Sequence, residues 1–205
     1  MNAQSSGSDR RARAILAFKF ENARDPNLTF DGAEQRPKEL VDAERLALWV
    51  EKLAPEPSEA LALASHCQHL RRWEVPRTDY EQGRTGYLKW RKALARFHAD
   101  RAGEILSRAG YDAETLSAVR QINLKQGMLH NPDVQTMEDA LCLSFLEHEI
   151  GEFAAKHPDD KLIDIIAKTW GKMSETARSH ALQLTLDARV SGLVKKALGA
   201  SPGDH

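Results

Sequence analysis

Residues 37–55 have the sequence PKELVDAERLALWVEKLAP. Apolar residues recur every three or four positions between the two prolines, at Leu40, Ala43, Leu46, Val50 and Leu53. This spacing places them along one side of a helix. Proline is common in the first turn of a helix, and it is also common just beyond the last turn because it cannot continue the helix. The segment therefore predicts a helix that buries one face.

The same helical spacing recurs along the rest of the chain, and strict alternation over five or more residues is absent. Further helices are expected over residues 9–23, 58–73, 86–109, 112–126, 136–156 and 158–170, and in a last region from residue 174. A polar loop is expected over residues 74–85. The fold prediction is a single compact all-α domain of about eight helices over residues 9–200, with disordered tails at 1–8 and 201–205.

Composition places the chain among ordinary globular proteins. It has 205 residues, of which 41% are hydrophobic and 29% charged, and its net charge is −1. No run of 18 apolar residues occurs, so no membrane contact is expected. The first residues lack the apolar stretch of a secretion signal. Cys67 and Cys142 lie within apolar helical patterns, which is typical of reduced thiols, so we expect a cytoplasmic protein.

The charges are unevenly distributed along the chain. Residues 66–101 hold nine Lys or Arg against four acids, and residues 131–164 hold nine acids against two lysines. Either the two segments are separate solvated faces, or the basic one lines a charged cleft.

The basic segment contains a proline-pinned loop in which arginines alternate with aromatic residues. Such a loop suits a phosphate or carboxylate held by guanidinium groups beside a planar ring. The alternative is that the tryptophans are core residues and the arginines pair with the acidic segment. The predicted substrate-binding residues are Arg72, Trp73, Arg77, Arg84, Tyr87 and Arg91, with Lys125 from a later turn.

Three histidines flank the predicted core. His66 and His69 lie three residues apart on one helix, and His98 lies on the long helix that follows the loop. Neutral imidazoles in such positions act as acids, bases or metal ligands, although many are simply satisfied core residues. Asp139 stands at a predicted helix start, where an acid either serves a site or satisfies backbone donors.

Several long motifs resemble domain-of-unknown-function family 4202, a family of bacterial and fungal proteins. They include QHLRRWEVPR at 68–77, RTGYLKWR at 84–91, RPKEL at 36–40, QTMED at 135–139 and KTWGKMS at 168–174. The resemblance covers nearly the whole chain. It implies kinship and no activity.

The order of these motifs is also similar to HD-domain phosphohydrolases, which are all-α and bind a divalent metal. The resemblance implies that His69 is the histidine of the paired motif and Asp139 the late aspartate, with His98 and Lys125 beside them. Leu70 stands where the paired aspartate would be. The expected ligand set is therefore incomplete.

Two alternatives follow from the incomplete ligand set. Either a metal site is rebuilt from His66, His69, His98 and Asp139, or the pocket handles phosphate without metal. In the second case His69, His98 and Asp139 form the catalytic group, with the histidines as acid or base and the arginines as the clamp on the anion.

Three functions remain in competition. The first is a hydrolase that cleaves a phosphoester or related bond in a small phosphorylated or nucleotide-like substrate. The second is a module that binds an anionic ligand or a partner without chemistry. The third, RNA binding, is disfavoured by the neighbouring acidic segment.

Overall fold

The computed structural model describes the backbone of residues 3–199 and the side chains of residues 7–199. This part of the chain is mostly helical, as predicted, but it holds ten α-helices rather than eight. They are α1 (Ala3–Asn22), α2 (Lys38–Leu53), α3 (Glu59–Cys67), α4 (Gly83–Arg108), α5 (Ala113–Asn123), α6 (Pro132–Ser144), α7 (Ile150–Lys156), α8 (Asp159–Trp170), α9 (Glu175–Ala181) and α10 (Ala188–Gly199). A π-helical turn, Phe145–Glu149, connects α6 to α7.

Several helix ends differ from the predicted ones: α3 ends at Cys67 rather than at Trp73, and α6 begins at Pro132 rather than at Thr136. Helix α1 begins at Ala3, within the segment predicted as an N-terminal tail. The C-terminal tail predicted at 201–205 lies outside the described residues. The predicted helix starts at Ser58 and Asp112 are confirmed. Their side chains accept hydrogen bonds from the backbone N–H groups of Leu61 and Thr115, respectively. Such caps satisfy amide donors that the first turn leaves open.

A small antiparallel hairpin precedes α2 and was not predicted. Strands β1 (Leu28–Asp31) and β2 (Glu34–Pro37) pair around a two-residue turn, with Asp31 opposite Glu34. Arg36 tethers the hairpin, because its guanidinium lies 2.5 Å from Asp31 and 2.7 Å from Glu44 of α2. Strand β1 (LTFD) does alternate apolar and polar residues, but over four positions rather than five or more, and β2 (EQRP) does not alternate.

The chain divides into two compact units, one ending at Val134 and the other beginning at Gln135. Whether residues 9–200 behave as one domain stays a prediction. In the first unit α3 is central and packs against α1, α2, α4 and α5. Its apolar residues Leu61, Leu63, Ala64 and Cys67 are buried.

The second unit is built around contacts between α8 and α10, with further contacts from α7. Leu162 and Ile166 of α8 and Val190 and Leu193 of α10 are buried. No helix among residues 3–199 is both long enough and apolar enough to cross a membrane.

Candidate functional site

A cavity of about 310 Å³ lies in the first unit, where the end of α3, the middle of α4 and the end of α5 meet. A volume of roughly 300 Å³ is at the lower end of ligand-binding cavities in proteins. Its lining residues are Gln68, His69, Arg72, Leu88, Arg91, Lys92, Leu94, Ala95, His98, Asn123, Leu124 and Lys125.

The chain turns sharply after α3 and thereby presents several of these residues to the cavity. Arg71 adopts a left-handed conformation with φ of 53°, which begins a 3-10 turn over Arg72–Glu74. The Arg71 amide donates to the Asn22 side chain of α1 at 3.3 Å. A non-glycine residue rarely adopts this backbone, so the turn is held in place by its surroundings.

His98 forms part of the buried wall of the cavity. Its Nδ1 lies 2.7 Å from the Leu70 carbonyl oxygen, and because a carbonyl only accepts, Nδ1 carries the proton. Burial lowers the pKa of His98 to about 4, so the ring is neutral at pH 7. Its Nε2 is buried and has no hydrogen-bond partner in the described part of the chain.

His69 lies opposite His98 and is the more exposed of the two. The ring centroids are 6.0 Å apart, and 27% of the His69 side chain remains exposed. Burial lowers the pKa of His69 well below its usual value, and the charges of Arg72 and Arg91 lower it further. At neutral pH the cavity therefore contains two uncharged imidazoles, each able to accept a proton.

Glu39 lies behind His69 and is 5% exposed. Its Oε2 is 3.9 Å from His69 Nδ1, and its Oε1 is 3.8 Å from Arg72 Nε. These distances are too long for hydrogen bonds. Burial raises the pKa of Glu39 to about 8, although the charge of Arg72 opposes the rise. At pH 7 the carboxyl is mostly protonated and does not neutralise Arg72.

The charged residues that line the cavity are all cations. Arg91 and Lys92 are exposed, while Arg72 and Lys125 are half-buried. The Arg72 guanidinium stacks over the Trp90 ring, 5.3 Å from its centroid, and this contact orients it. Lys125 has a φ of 54°, in the left-handed region where glycine is usual after a helix. The cavity therefore has the electrostatic character of an anion site.

Five of the predicted site residues meet in this cavity: His69, His98, Arg72, Arg91 and Lys125. The other predicted binding residues, which are Trp73, Arg77, Arg84 and Tyr87, are not among those that line it.

Arg77 organises the loop instead. Its guanidinium donates to the carbonyls of Tyr80, Glu81 and Gly83 at 2.8, 2.8 and 3.4 Å. Trp90 serves the same loop, since its indole N–H donates to the Val75 carbonyl at 2.8 Å.

Of the alternative metal set, His69 and His98 line this cavity, whereas His66 does not and Asp139 belongs to the second unit. His66 lines a different cavity, of about 430 Å³, with Arg11 and Glu51. Across residues 3–199, no group of three or more His, Cys, Asp or Glu side chains could hold a metal ion. The residues present do not fit the metal of an HD-type site.

Asp139 belongs to the second unit and has a structural role there. Its Oδ1 accepts the backbone N–H of Ser174 at 2.8 Å and the side-chain amide of Gln135 at 2.9 Å. These bonds anchor the start of α9. Asp139 itself lies inside α6, which begins at Pro132, so it does not stand at a helix start as predicted.

Several residues of the site were not among the predicted ones, including the cation Lys92 and three buried polar residues. Gln68 and Asn123 line the cavity, and Glu39 lies beside His69. Asn123 had a detectable signal, since it follows Val119 by four residues and so occupies an apolar position of α5. Gln68 and Glu39 had only their places within the family-like motifs.

Comparison with known proteins gives a family and nothing finer. A family model described as "Domain of unknown function (DUF4202)" matches residues 12–194. No curated protein matches the chain. No solved structure matches it either.

Proposed function

Because the chain belongs to the DUF4202 family, whose description names no activity, we propose a function from its cavity: hydrolysis of a small phosphorylated substrate without a metal. One observation carries the proposal. Two neutral histidines, His69 and His98, line a cavity whose charged lining residues are all cations.

The proposed reaction uses His69 as the base, because it is the more exposed imidazole. His69 takes a proton from water, the water oxygen attacks phosphorus, and the bond from phosphorus to the ester oxygen breaks. The protonated His69 then gives the proton to the leaving oxygen, so that ester and water become alcohol and phosphate. Arg72, Arg91 and Lys125 stabilise the negative charge that develops on the phosphoryl oxygens.

The helices leave a natural control for this proposal. His66 lies on α3, one turn before His69, but it lines the other cavity. We expect His69→Asn to lower kcat/KM for phosphomonoesters by about 100-fold or more, the usual contribution of a general base. His66→Asn should change it by less than about twofold. Equal turnover by wild type and His69→Asn, measured as phosphate release, would overturn the hydrolase.

A binding module without chemistry is the second candidate. It is favoured by His98, which is buried and already donates to a backbone carbonyl. In this case Arg72→Met should abolish binding of a phosphorylated ligand in calorimetry, His69→Asn should retain it, and no ester should be turned over.

The proposal extends to the type of scaffold and to the cellular location. The motif order supports an HD-like helical scaffold that has lost its metal ligands. The buried thiols of Cys67 and Cys142 support a cytoplasmic location, where thiols stay reduced.

A further inference from the structure

Three polar residues that line the cavity are almost completely buried. Gln68, His98 and Asn123 are 6%, 3% and 2% exposed. Each carries one buried polar atom without a hydrogen-bond partner in the described chain, namely Gln68 Oε1, His98 Nε2 and Asn123 Oδ1. Native proteins rarely leave such atoms unpaired, because each costs about 1–3 kcal/mol. All three residues line the same cavity, so a ligand bound there is the candidate partner of these atoms.

All three unpaired atoms are acceptors. The amide oxygens of Gln68 and Asn123 accept by their chemistry, and the Asn123 amide nitrogen is placed 3.5 Å from Cys67 Sγ. His98 Nε2 accepts because Nδ1 holds the ring proton against the Leu70 carbonyl. The buried end of the ligand must therefore supply hydrogen-bond donors.

The cations lie farther out than these acceptors. Arg91 and Lys92 are exposed and Arg72 and Lys125 half-buried, whereas the three acceptor residues are buried. A ligand that satisfies both sets has an anionic group toward the opening and donors at its inner end. Hydroxyl groups on neighbouring carbons are neutral donors that suit several separate acceptors.

A nucleobase is a poorer match for the inner end. Proteins commonly hold single bases by stacking them on Phe, Tyr or Trp rings. The described residues that line the cavity include none of these three types, and the volume is about 310 Å³. Both features favour a compact ligand without a base.

We infer that the substrate of the proposed reaction is a phosphorylated sugar or polyol, whose hydroxyl groups donate to Gln68, His98 and Asn123 while its phosphate lies among Arg72, Arg91 and Lys125. The inference rests on the proposed function for the phosphate. It adds the chemical class of the remaining part of the molecule.

Calorimetry on the full chain with matched probes tests the inference. Ribose 5-phosphate should bind at least about tenfold more tightly than inorganic phosphate, and 2-deoxyribose 5-phosphate should lie between them, since a hydrogen bond is worth about 1 kcal/mol or more. Ribose 5-phosphate no tighter than inorganic phosphate would overturn the inference. Adenosine monophosphate binding more tightly than ribose 5-phosphate would also overturn it, because the base would then be recognised.

A variant pair locates the hydroxyl contacts. Gln68→Met keeps the side-chain length and removes the acceptor. It should therefore weaken the binding of ribose 5-phosphate by about tenfold and the binding of inorganic phosphate by less than twofold. Gln121→Met, at an exposed position of α5, should change neither. Equal weakening of both probes by Gln68→Met contradicts the inference. If Gln68→Met fails to fold, the wild-type comparison of the two sugars decides.

The two proposals fail in different ways. If binding depends on the hydroxyl groups but no phosphoester is hydrolysed, the proposed hydrolase activity is wrong and the proposed ligand class is retained. If phosphoesters are hydrolysed at rates that do not depend on the hydroxyl groups of the substrate, the proposed ligand class is wrong and the proposed hydrolase activity is retained. If none of the phosphorylated probes binds, both are wrong.

Discussion

The imidazole of His98 is joined to the backbone of Leu70 by a hydrogen bond of 2.7 Å, and both residues are buried. The bond connects the middle of α4 to the turn that follows α3. It also fixes the His98 tautomer, and therefore which nitrogen can accept a proton from a ligand. A single contact thus sets both the position of the cavity wall and its chemistry.

Replacing His98 should destabilise the first unit. His98→Leu leaves the buried Leu70 carbonyl without a donor, which costs about 1–3 kcal/mol of unfolding free energy. The matched change His130→Leu, at an exposed position, should cost less than about 0.5 kcal/mol. Urea denaturation measures both. Equal stabilities for the two variants would show that the bond to Leu70 does not hold the turn.

The buried Glu39 carboxyl should make stability fall as pH rises. Burial raises its pKa from 4.5 to about 8, so between these values the folded state holds a proton that the unfolded chain releases. The unfolding free energy therefore declines through this window by up to about 1.4 kcal/mol per pH unit. The lowered pKa values of His66, His69 and His98 act oppositely and raise stability with pH up to 6.5.

These groups together place the highest stability near pH 6.5. Glu39→Gln should remove the decline between pH 6.5 and 8 in urea titrations. Glu114→Gln, at an exposed position of α5, should keep the wild-type profile. A decline that persists in Glu39→Gln would assign it to another group.

Two glycines of α4 should respond in opposite directions to alanine. A Cβ on Gly86 would overlap the Glu81 carbonyl oxygen, whereas a Cβ on Gly103 meets nothing within 4 Å. Gly86→Ala should displace the loop before α4 and cost at least about 1–3 kcal/mol. Gly103→Ala should stabilise by about 0.5–1 kcal/mol, because alanine favours the helix. Thermal unfolding of both variants checks the signs, and a stabilised Gly86→Ala would place the Glu81 carbonyl elsewhere.

Arg77 should be necessary for the conformation of the loop and should not contact the ligand. Arg77→Ala removes three hydrogen bonds to the carbonyls of Tyr80, Glu81 and Gly83, so thermolysin should cleave this loop several times faster. Arg84→Ala, at an exposed position nearby, should leave the cleavage rate unchanged. If Arg77→Ala digests like wild type, the loop is held by other contacts.

Anion binding should be coupled to proton uptake. Cations around His69 help to keep its pKa low, and an anion among them would offset that effect. Sulfate does not titrate near neutrality and is therefore a suitable probe. At pH 6, its binding enthalpy should vary with the ionisation enthalpy of the buffer, with uptake of up to about one proton. His66→Asn should retain the dependence and His69→Asn should reduce it. No dependence in the wild type would contradict the assignment.

The sequence predicted what depends on local pattern. The helical character follows from the periodicity, and the caps at Ser58 and Asp112 follow from residue type at helix starts. The association of His69 with His98 was expected from a resemblance in motif order, and the cavity contains both.

Other features depend on contacts between distant residues and could not be predicted. The role of Arg77 rests on carbonyl groups, which carry no side-chain signature. Glu39 becomes a buried neighbour of His69 only once α2 and the end of α3 are packed. His66 lies on α3, which ends at Cys67, whereas His69 lies in the turn that follows, and the two line different cavities.

The left-handed backbone of Lys125 has a consequence for directed evolution. Glycine would adopt this conformation without strain, which costs roughly 1 kcal/mol for other residues. A library screened only for heat resistance should therefore enrich Lys125→Gly. The enriched clones would lack one of the cations that line the cavity. Selection for durability and selection for anion capture would thus favour different residues at this position.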